Sequence, residues 1–216
     1  MAYKCIILDH DDTVVDSTAT VHYPAFLAYM DQYKGGTDIS LKEYFTYNFH
    51  PGVLPFFQDI VGLNEKEMEE EERFWRAYGA EHIPAPYPGM AEILWEFRRA
   101  GGLICVSSHS YSDYIRRDYQ TGGLPEPDRI YGWELPAQQR KPDPWSVLQV
   151  LGDFHLASEE VLVLDDLKPG YDMARAAGVP FAAAAWAGDY PDIQEFMKEN
   201  SDYYLDKVEN LRKIIL

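Results

Sequence analysis

The stretch Tyr3–Ser17 (Tyr-Lys-Cys-Ile-Ile-Leu-Asp-His-Asp-Asp-Thr-Val-Val-Asp-Ser) constrains this chain more than any other. Its apolar run Cys5-Ile6-Ile7-Leu8 is too short for a helix and reads as a strand buried on both faces. Three carboxylates follow at its C-terminal end: Asp9, Asp11 and Asp12. In an open parallel sheet the carboxyl ends of strands are where ligands bind. Residues two apart in extended chain point to one side, roughly 6.6 Å from each other. Asp9 and Asp11 are therefore expected in one pocket, with His10 and Asp12 pointing elsewhere. Two anions this close repel and raise one another's pKa. That is useful if a divalent cation sits between them, or if one carboxylate attacks while the other transfers a proton. Taken alone, the pattern is equally an Asp-rich turn with solvated side chains, because short Asp patterns recur by chance.

The rest of the chain decides between the two. After the opening strand, Asp16 and Ser17 offer N-cap chemistry. Residues 18–83 then read as mostly helical and rich in aromatics: Tyr23–Met30, Leu41–Tyr47 opened by Ser40, and Asn64–Tyr78. The acidic run Glu65–Arg73 reads as a solvated helix face with no function of its own. Pro84-Ala85-Pro86-Tyr87-Pro88-Gly89 breaks the chain as a linker would. Beyond it strands and helices alternate. Apolar runs at Leu103–Val106, Val161–Leu164 and Phe181–Trp186, with shorter ones near Arg129–Trp133 and at Tyr203–Leu205, are separated by helical patterns. That alternation means right-handed crossovers and a parallel sheet covered on both faces, an α/β Rossmann-like doubly wound core.

Length and charge narrow the partners. The chain has 216 residues, enough for one or two domains, and 46% hydrophobic residues, enough for a full core. A net charge of −17 argues against nucleic acid and anionic membrane as partners. No apolar run approaches the ~20 residues of a membrane helix. Cys5 and Cys105 each sit in an expected buried strand and behave as small hydrophobes. With no cysteine framework and no targeting segment ahead of the first strand, a reducing, cytoplasmic setting is expected, as a monomer or homodimer.

Polar residues thus fall at the ends of three apolar strands: Asp9/Asp11, Ser107 and Asp165/Asp166. Lys141 starts a helix whose N-terminus should face the same edge. Asp9-His10-Asp11-Asp12-Thr13, Val106-Ser107-Ser108, Lys141-Pro142-Asp143-Pro144 and Leu164-Asp165-Asp166 with Gly170 occur in that order. In this pattern the chain resembles the haloacid dehalogenase-like superfamily of phosphohydrolases, and the resemblance covers nearly the whole core. It implies that Asp9 attacks phosphorus to form an aspartyl-phosphate, with Asp11 as general acid and base. It implies Mg²⁺ held by Asp9, the backbone carbonyl of Asp11, Asp165 and Asp166. It also implies phosphoryl binding by Lys141, the Ser107 hydroxyl and the Ser108 N–H. The charges make a cation necessary: a phosphate dianion 4 Å from one carboxylate is repelled by about 8 kcal/mol at an effective dielectric near 20.

Three departures qualify the resemblance. Many relatives have Gly where this chain has Asp12. His10 stands where an apolar residue is commoner, and packing is its expected role. Gly170 occupies a position that in some relatives carries an extra acid, which leaves that part to Asp165. Asp11 itself favours phosphoryl chemistry over carbon–halogen cleavage, since true dehalogenases lack it. The resemblance further implies two domains, a core of residues 1–17 and 85–216 and a helical cap of residues 18–84 that closes over the site. Val14–Ser17 and Pro84–Gly89 would be the hinges. Tyr47, Asn48 and His50 are candidates to face a small phosphorylated substrate, while Phe26, Phe45 and Phe56 are expected to form the cap's own core. Phosphomutase and phosphonate hydrolase chemistry stay open as alternatives, although neither Lys34 nor Lys42 sits in a motif for a Schiff base. A non-catalytic phospho-signalling module is the reading from a different class.

Overall fold

The computed structural model describes residues 2–216. Six strands, β1 (Cys5–Leu8), β2 (Leu103–Ser107), β3 (Arg129–Tyr131), β4 (Val161–Asp165), β5 (Phe181–Ala184) and β6 (Tyr203–Leu205), form one sheet in the order β3-β2-β1-β4-β5-β6. Every pairing is parallel. β1 is central and wholly buried, as an uninterrupted apolar run requires. Its side chains alternate between two cores. Ile6 and Leu8 join Ile104, Val106, Leu162 and Leu164 on one face, while Cys5 and Ile7 join Cys105, Val161 and Val163 on the other. Each fully buried aliphatic side chain contributes about 1.5–3 kcal/mol. The first core lies beneath α5 (Met90–Arg99), α6 (Ser112–Thr121) and α10 (Val208–Ile215). The second lies beneath α7 (Trp145–Phe154), α8 (Lys168–Ala177) and α9 (Pro191–Asn200). The chain runs outward from β1 through β2 to β3, then returns to β4 on the other flank. The crevice at that reversal, between the C-terminal ends of β1 and β4, is where such sheets bind ligands.

The helices between β1 and α5 pack around their own aromatic core. They are α1 (Tyr23–Tyr33), α2 (Leu41–Phe49), the single turn α3 (Val53–Pro55) and α4 (Glu65–Glu81), with wide π-turns at Thr18–His22 and Phe56–Ile60. Phe26, Tyr29, Tyr44, Phe56 and Phe57 form the centre of that core. Ser40 and Asn64 open α2 and α4 with reciprocal capping boxes to Glu43 and Glu67. The entry to the first helical segment departs from expectation. Neither Asp16 nor Ser17 caps it; the Asp12 carboxylate accepts from Thr18 N–H at 3.1 Å instead, and the Ser17 hydroxyl is buried without a partner. Asp12 can reach because its φ is +56°, left-handed, which explains why glycine suits this position in relatives.

The two connectors to the helical insertion run side by side. Asp16 N–H donates to Ala85 carbonyl and Tyr87 N–H to Val14 carbonyl, bracketing a Val15–Pro86 bridge. The insertion also touches the sheet domain on either side of the site. On one side Phe45 stacks on Tyr190 with ring centroids 4.2 Å apart and Phe49 meets Phe196 edge-on. On the other, Arg76 of α4 pairs with Asp113 of α6 at 2.9 Å. Phe45 therefore belongs to the second sheet core and not to the insertion's own, contrary to the expectation from α2 alone.

Candidate active site

Parallel register places Leu8 beside Leu164, so Asp9 and Asp165 leave adjacent strand ends together. Lys141, from the loop before α7, reaches between them: its Nζ lies 2.8 Å from Asp9 Oδ1 and 2.6 Å from Asp165 Oδ2. Asp165 Oδ1 accepts from Leu167 N–H at 2.8 Å, so both its oxygens are engaged. Asp9, Asp165 and Asp166 each bring a carboxylate oxygen within 4.8 Å of the others, all buried. The side chains of residues 9, 141 and 166 thus share one phosphate-sized space. Gly170 makes this possible, because a Cβ there would lie 2.1 Å from the Asp165 carboxyl.

The cluster holds more negative charge than Lys141 matches. Burial, reinforced by Asp9, pushes the Asp165 carboxyl up to about 7 against the pull of Lys141. Burial and the neighbouring carboxylates push Asp166 well above the carboxylate range. Lys141 is buried as well, yet the two carboxylates hold its pKa above the usual lysine value. Buried hard-oxygen donors with unmatched charge are what a divalent cation such as Mg²⁺ requires, so Asp9 and Asp166 fit one, whereas Asp165, also expected as a ligand, has both oxygens engaged by Lys141 and Leu167 N–H.

Asp11 faces the same cavity but stands outside that cluster. His22 Nε2 lies 2.8 Å from its Oδ1, and Ser110 Oγ donates to its Oδ2 at 2.6 Å. Trp75 Nε1–H donates to His22 Nδ1 at 2.8 Å, which fixes the tautomer so that Nε2 donates to Asp11. Burial opposes charge on both partners, yet each one's charge and hydrogen bond hold Asp11 well below the carboxylate range and raise His22. His22 and Trp75 were not among the residues expected here. Their partners lie 11 and 53 positions away, the first across the insertion boundary, with no spacing signal to mark them.

His10 points to the opposite face, as alternation requires, but does more than pack. Its Nε2 lies 3.0 Å from Asp118 Oδ2, and both side chains are buried. Arg117 Nε donates to Asp118 Oδ1 at 2.8 Å, while its Nη1 donates to the Gly79 carbonyl of α4 at 2.6 Å.

The serines at the end of β2 are offset by one residue from expectation. Ser107 lies within the strand and turns into the second core, where its hydroxyl pairs with Ser146 Oγ at 2.9 Å. Ser108 turns toward the site, with Oγ 3.5 Å from Asp11 Oδ2, but its N–H is taken by the Tyr131 carbonyl at 3.0 Å. The hydroxyls facing Asp11 are those of Ser108 and Ser110, and His109 is the next residue to line the cavity. His109 donates from Nε2 to the Lys141 carbonyl at 3.1 Å; burial, then the Lys141 charge, push its pKa down to about 4, so it is neutral.

Above the carboxylates lies a cavity of about 690 Å³ between sheet edge and helical insertion. Asn48 and His50 line it; the Asn48 amide is turned back onto the Tyr44 carbonyl at 2.7 Å. Tyr47 does not line it. Its place on α2 turns it into the insertion's core, stacked on Phe56 at 5.6 Å, while Tyr44, Phe45, Asn48 and Phe49 face the opening.

A sheet switch point carrying this carboxylate–lysine cluster beneath a helical insertion defines a phosphohydrolase-like α/β architecture. Residues 6–184 match the haloacid dehalogenase-like hydrolase family, and the chain belongs to it. A phosphoglycolate phosphatase of Mesorhizobium japonicum is 28% identical over 115 residues, and the match spans about half of each protein, 51% of this chain and 49% of the relative. Among solved structures, a haloacid dehalogenase-like hydrolase from Bacteroides fragilis superposes with a TM-score of 0.79 at 22% identity, covering 97% of this chain and 99% of that one. A predicted phosphoglycolate phosphatase from Haemophilus somnus superposes with a TM-score of 0.80 at 18% identity, covering 100% and 99%. At these identities the structures establish the shared fold.

Proposed function

We propose that this chain is a phosphatase that hydrolyses an organic phosphomonoester in two steps, through an aspartyl-phosphate on Asp9. The observation that carries this reading is the Lys141 ammonium bridging Asp9 and Asp165 at 2.8 and 2.6 Å, with Asp166 alongside, at the floor of the cavity beneath the helical insertion. A carboxylate oxygen of Asp9 attacks phosphorus, and the bond from phosphorus to the leaving alcohol breaks. Asp11, ionised between His22 and Ser110 in this arrangement, must first gain a proton, which it passes to that alcohol oxygen; it then takes one back from the water that attacks the aspartyl-phosphate. Inorganic phosphate leaves and the Asp9 carboxylate is restored. His22 and Ser110 hold the Asp11 carboxyl in place for both transfers. Lys141 provides fixed positive charge for the phosphoryl oxygens, held by Asp165. Asp9, Asp166 and the backbone carbonyl of Asp11 would hold Mg²⁺, which supplies the further positive charge that lets a phosphate dianion approach.

Residues 18–84 serve as the cap on a core of residues 1–17 and 85–216, hinged at the paired connectors, and further closure of that cap over the carboxylates would exclude water. No helix is long and apolar enough to cross a membrane among the described residues, and both cysteines are free and buried, which suits a reducing cytoplasm. The test is phosphate release from an aryl phosphate with Mg²⁺. Asp9→Asn should abolish turnover while leaving thermal unfolding within a few degrees; turnover preserved in a folded Asp9→Asn protein refutes the reading.

A further inference from the structure

The acidic run of α4 does not simply face solvent. Glu65, Met68, Glu69, Glu71, Glu72 and Trp75 recur at the three- and four-residue spacing of one helix face, and that face forms a wall of the cavity. The opposite wall comes from Tyr44, Phe45, Phe49 and Phe57. Resting on the phosphatase reading above, we infer that the substrate carries a bulky, largely apolar leaving group with no acidic substituent, neutral or positively charged at its far end.

Two features carry this. The first is size and lining. About 690 Å³ lies in the middle of the range for drug-sized ligands. A two-carbon acid phosphate would leave most of it unfilled and would bury no apolar surface against the aromatic wall. The second is the charge left available. Among the basic side chains lining the cavity, Lys141 is committed to Asp9 and Asp165, His22 to Asp11 and Trp75, and Lys168 to Asp172 at 2.5 Å. Arg140, laid over the Trp133 ring at 4.0 Å with Nε on the Leu135 carbonyl, keeps its charge and has no carboxylate partner among the described residues, and His109 is neutral. Against them stand four glutamates of α4. Glu72 accepts from the Tyr111 hydroxyl, while Glu71 is half-buried with no hydrogen-bond partner among the described residues. Burial, then the charge of Glu72, push the Glu71 carboxyl up to about 7, and Glu65, Glu69 and Glu72 are exposed on the same helix. A second carboxylate on the substrate would add to that repulsion, whereas an ammonium or a neutral ring would relieve or ignore it.

The test is the steady-state rate of phosphate release, with Mg²⁺, from four esters: phenyl phosphate bearing a para aminomethyl group, the same ester bearing a para carboxylate, 2-naphthyl phosphate and 2-phosphoglycolate. We expect kcat/KM at least tenfold higher for the aminomethyl than for the carboxylate ester, and 2-naphthyl phosphate at least a hundredfold better than 2-phosphoglycolate. Glu71→Gln, with unfolding monitored to confirm the fold, should narrow the aminomethyl-to-carboxylate ratio severalfold. Equal or better turnover of 2-phosphoglycolate, or of the carboxylate ester, overturns this inference and leaves the phosphatase reading standing. No release from any of the four, with the protein folded, overturns the phosphatase reading and this inference with it.

Discussion

Gly170→Ala should destabilise this protein, although the same change inside most helices does the reverse. Gly170 sits in the first turn of α8 with an ordinary helical backbone, where replacing Gly by Ala normally stabilises by about 0.5–1 kcal/mol. Here the added methyl would lie 2.1 Å from Asp165 Cγ and Oδ2 and 2.4 Å from its Cβ. Contact at the Cβ means that rotating the carboxylate does not clear the clash, so the helix or strand end must move. Overpacking of this kind costs about 1–3 kcal/mol. The shift also disturbs the Lys141–Asp165 contact at 2.6 Å and the Leu167 N–H bond at 2.8 Å. Fully unpairing a buried ion costs about 3–5 kcal/mol, but Lys141 keeps Asp9, so only part of that applies. A net loss of about 3 kcal/mol corresponds to a Tm lowered by about 6–12 °C for a domain of this size. Phosphate release should fall with it, at least tenfold in kcat, because the ammonium loses one of its two anchors. Calorimetry and a phosphate-release assay at saturating Mg²⁺ measure both. A Tm equal to or above that of the parent protein would refute the reasoning, since it would mean that Asp165 is not wedged against α8.

Further outcomes separate the roles assigned to individual side chains. Ser107→Ala should lower stability by about 1 kcal/mol with kcat unchanged, while Ser108→Ala should lower kcat with little change in Tm; urea melts and initial rates distinguish the two. Trp75→Phe removes the N–H that orients His22, and should lower kcat about fivefold without raising KM, as measured by full Michaelis–Menten curves. Glu71 has a carboxyl raised from 4.5 to about 7 in the folded state, so the folded protein binds the extra proton between those values. Stability should therefore be greater below pH 4.5 and decline as pH rises toward 7. The full shift is worth about 3 kcal/mol, reduced to about 1–2 by partial solvent contact. Glu71→Gln should flatten that part of the curve, which denaturant unfolding at pH 5 and pH 8 would measure.

Much of this architecture could be read before any coordinates. Cys5–Leu8, Leu103–Val106 and Val161–Leu164 announce central strands because burial on both faces leaves them no polar residue. Asp9, Lys141 and Asp165 meet where strand-end logic places them. What could not be read depends on which way a side chain turns near an element's end. Val106-Ser107-Ser108 looks the same whether β2 stops at one residue or the next, and one step of alternation exchanges a site hydroxyl for a core hydroxyl. Phe45 and Tyr47 are two positions apart on a short helix packed on two sides, so apolarity alone cannot say which core takes which ring. His22 needed a tryptophan 53 residues away to reveal its purpose. The glutamates of α4 looked like a solvated face because a helix that lines a ligand-sized, water-accessible cavity and one that faces bulk solvent share the same composition.

One guanidinium in this molecule keeps two appointments. Arg117 grips the last turn of the α4 lid through the Gly79 carbonyl and, with its remaining nitrogens, steadies the acid that partners His10 beneath the nucleophile's loop. The cap movement proposed above would strip away one of those grips, two side chains from the residue flanked by Asp9 and Asp11. On that reading the floor carries a lever whose other end is the flap.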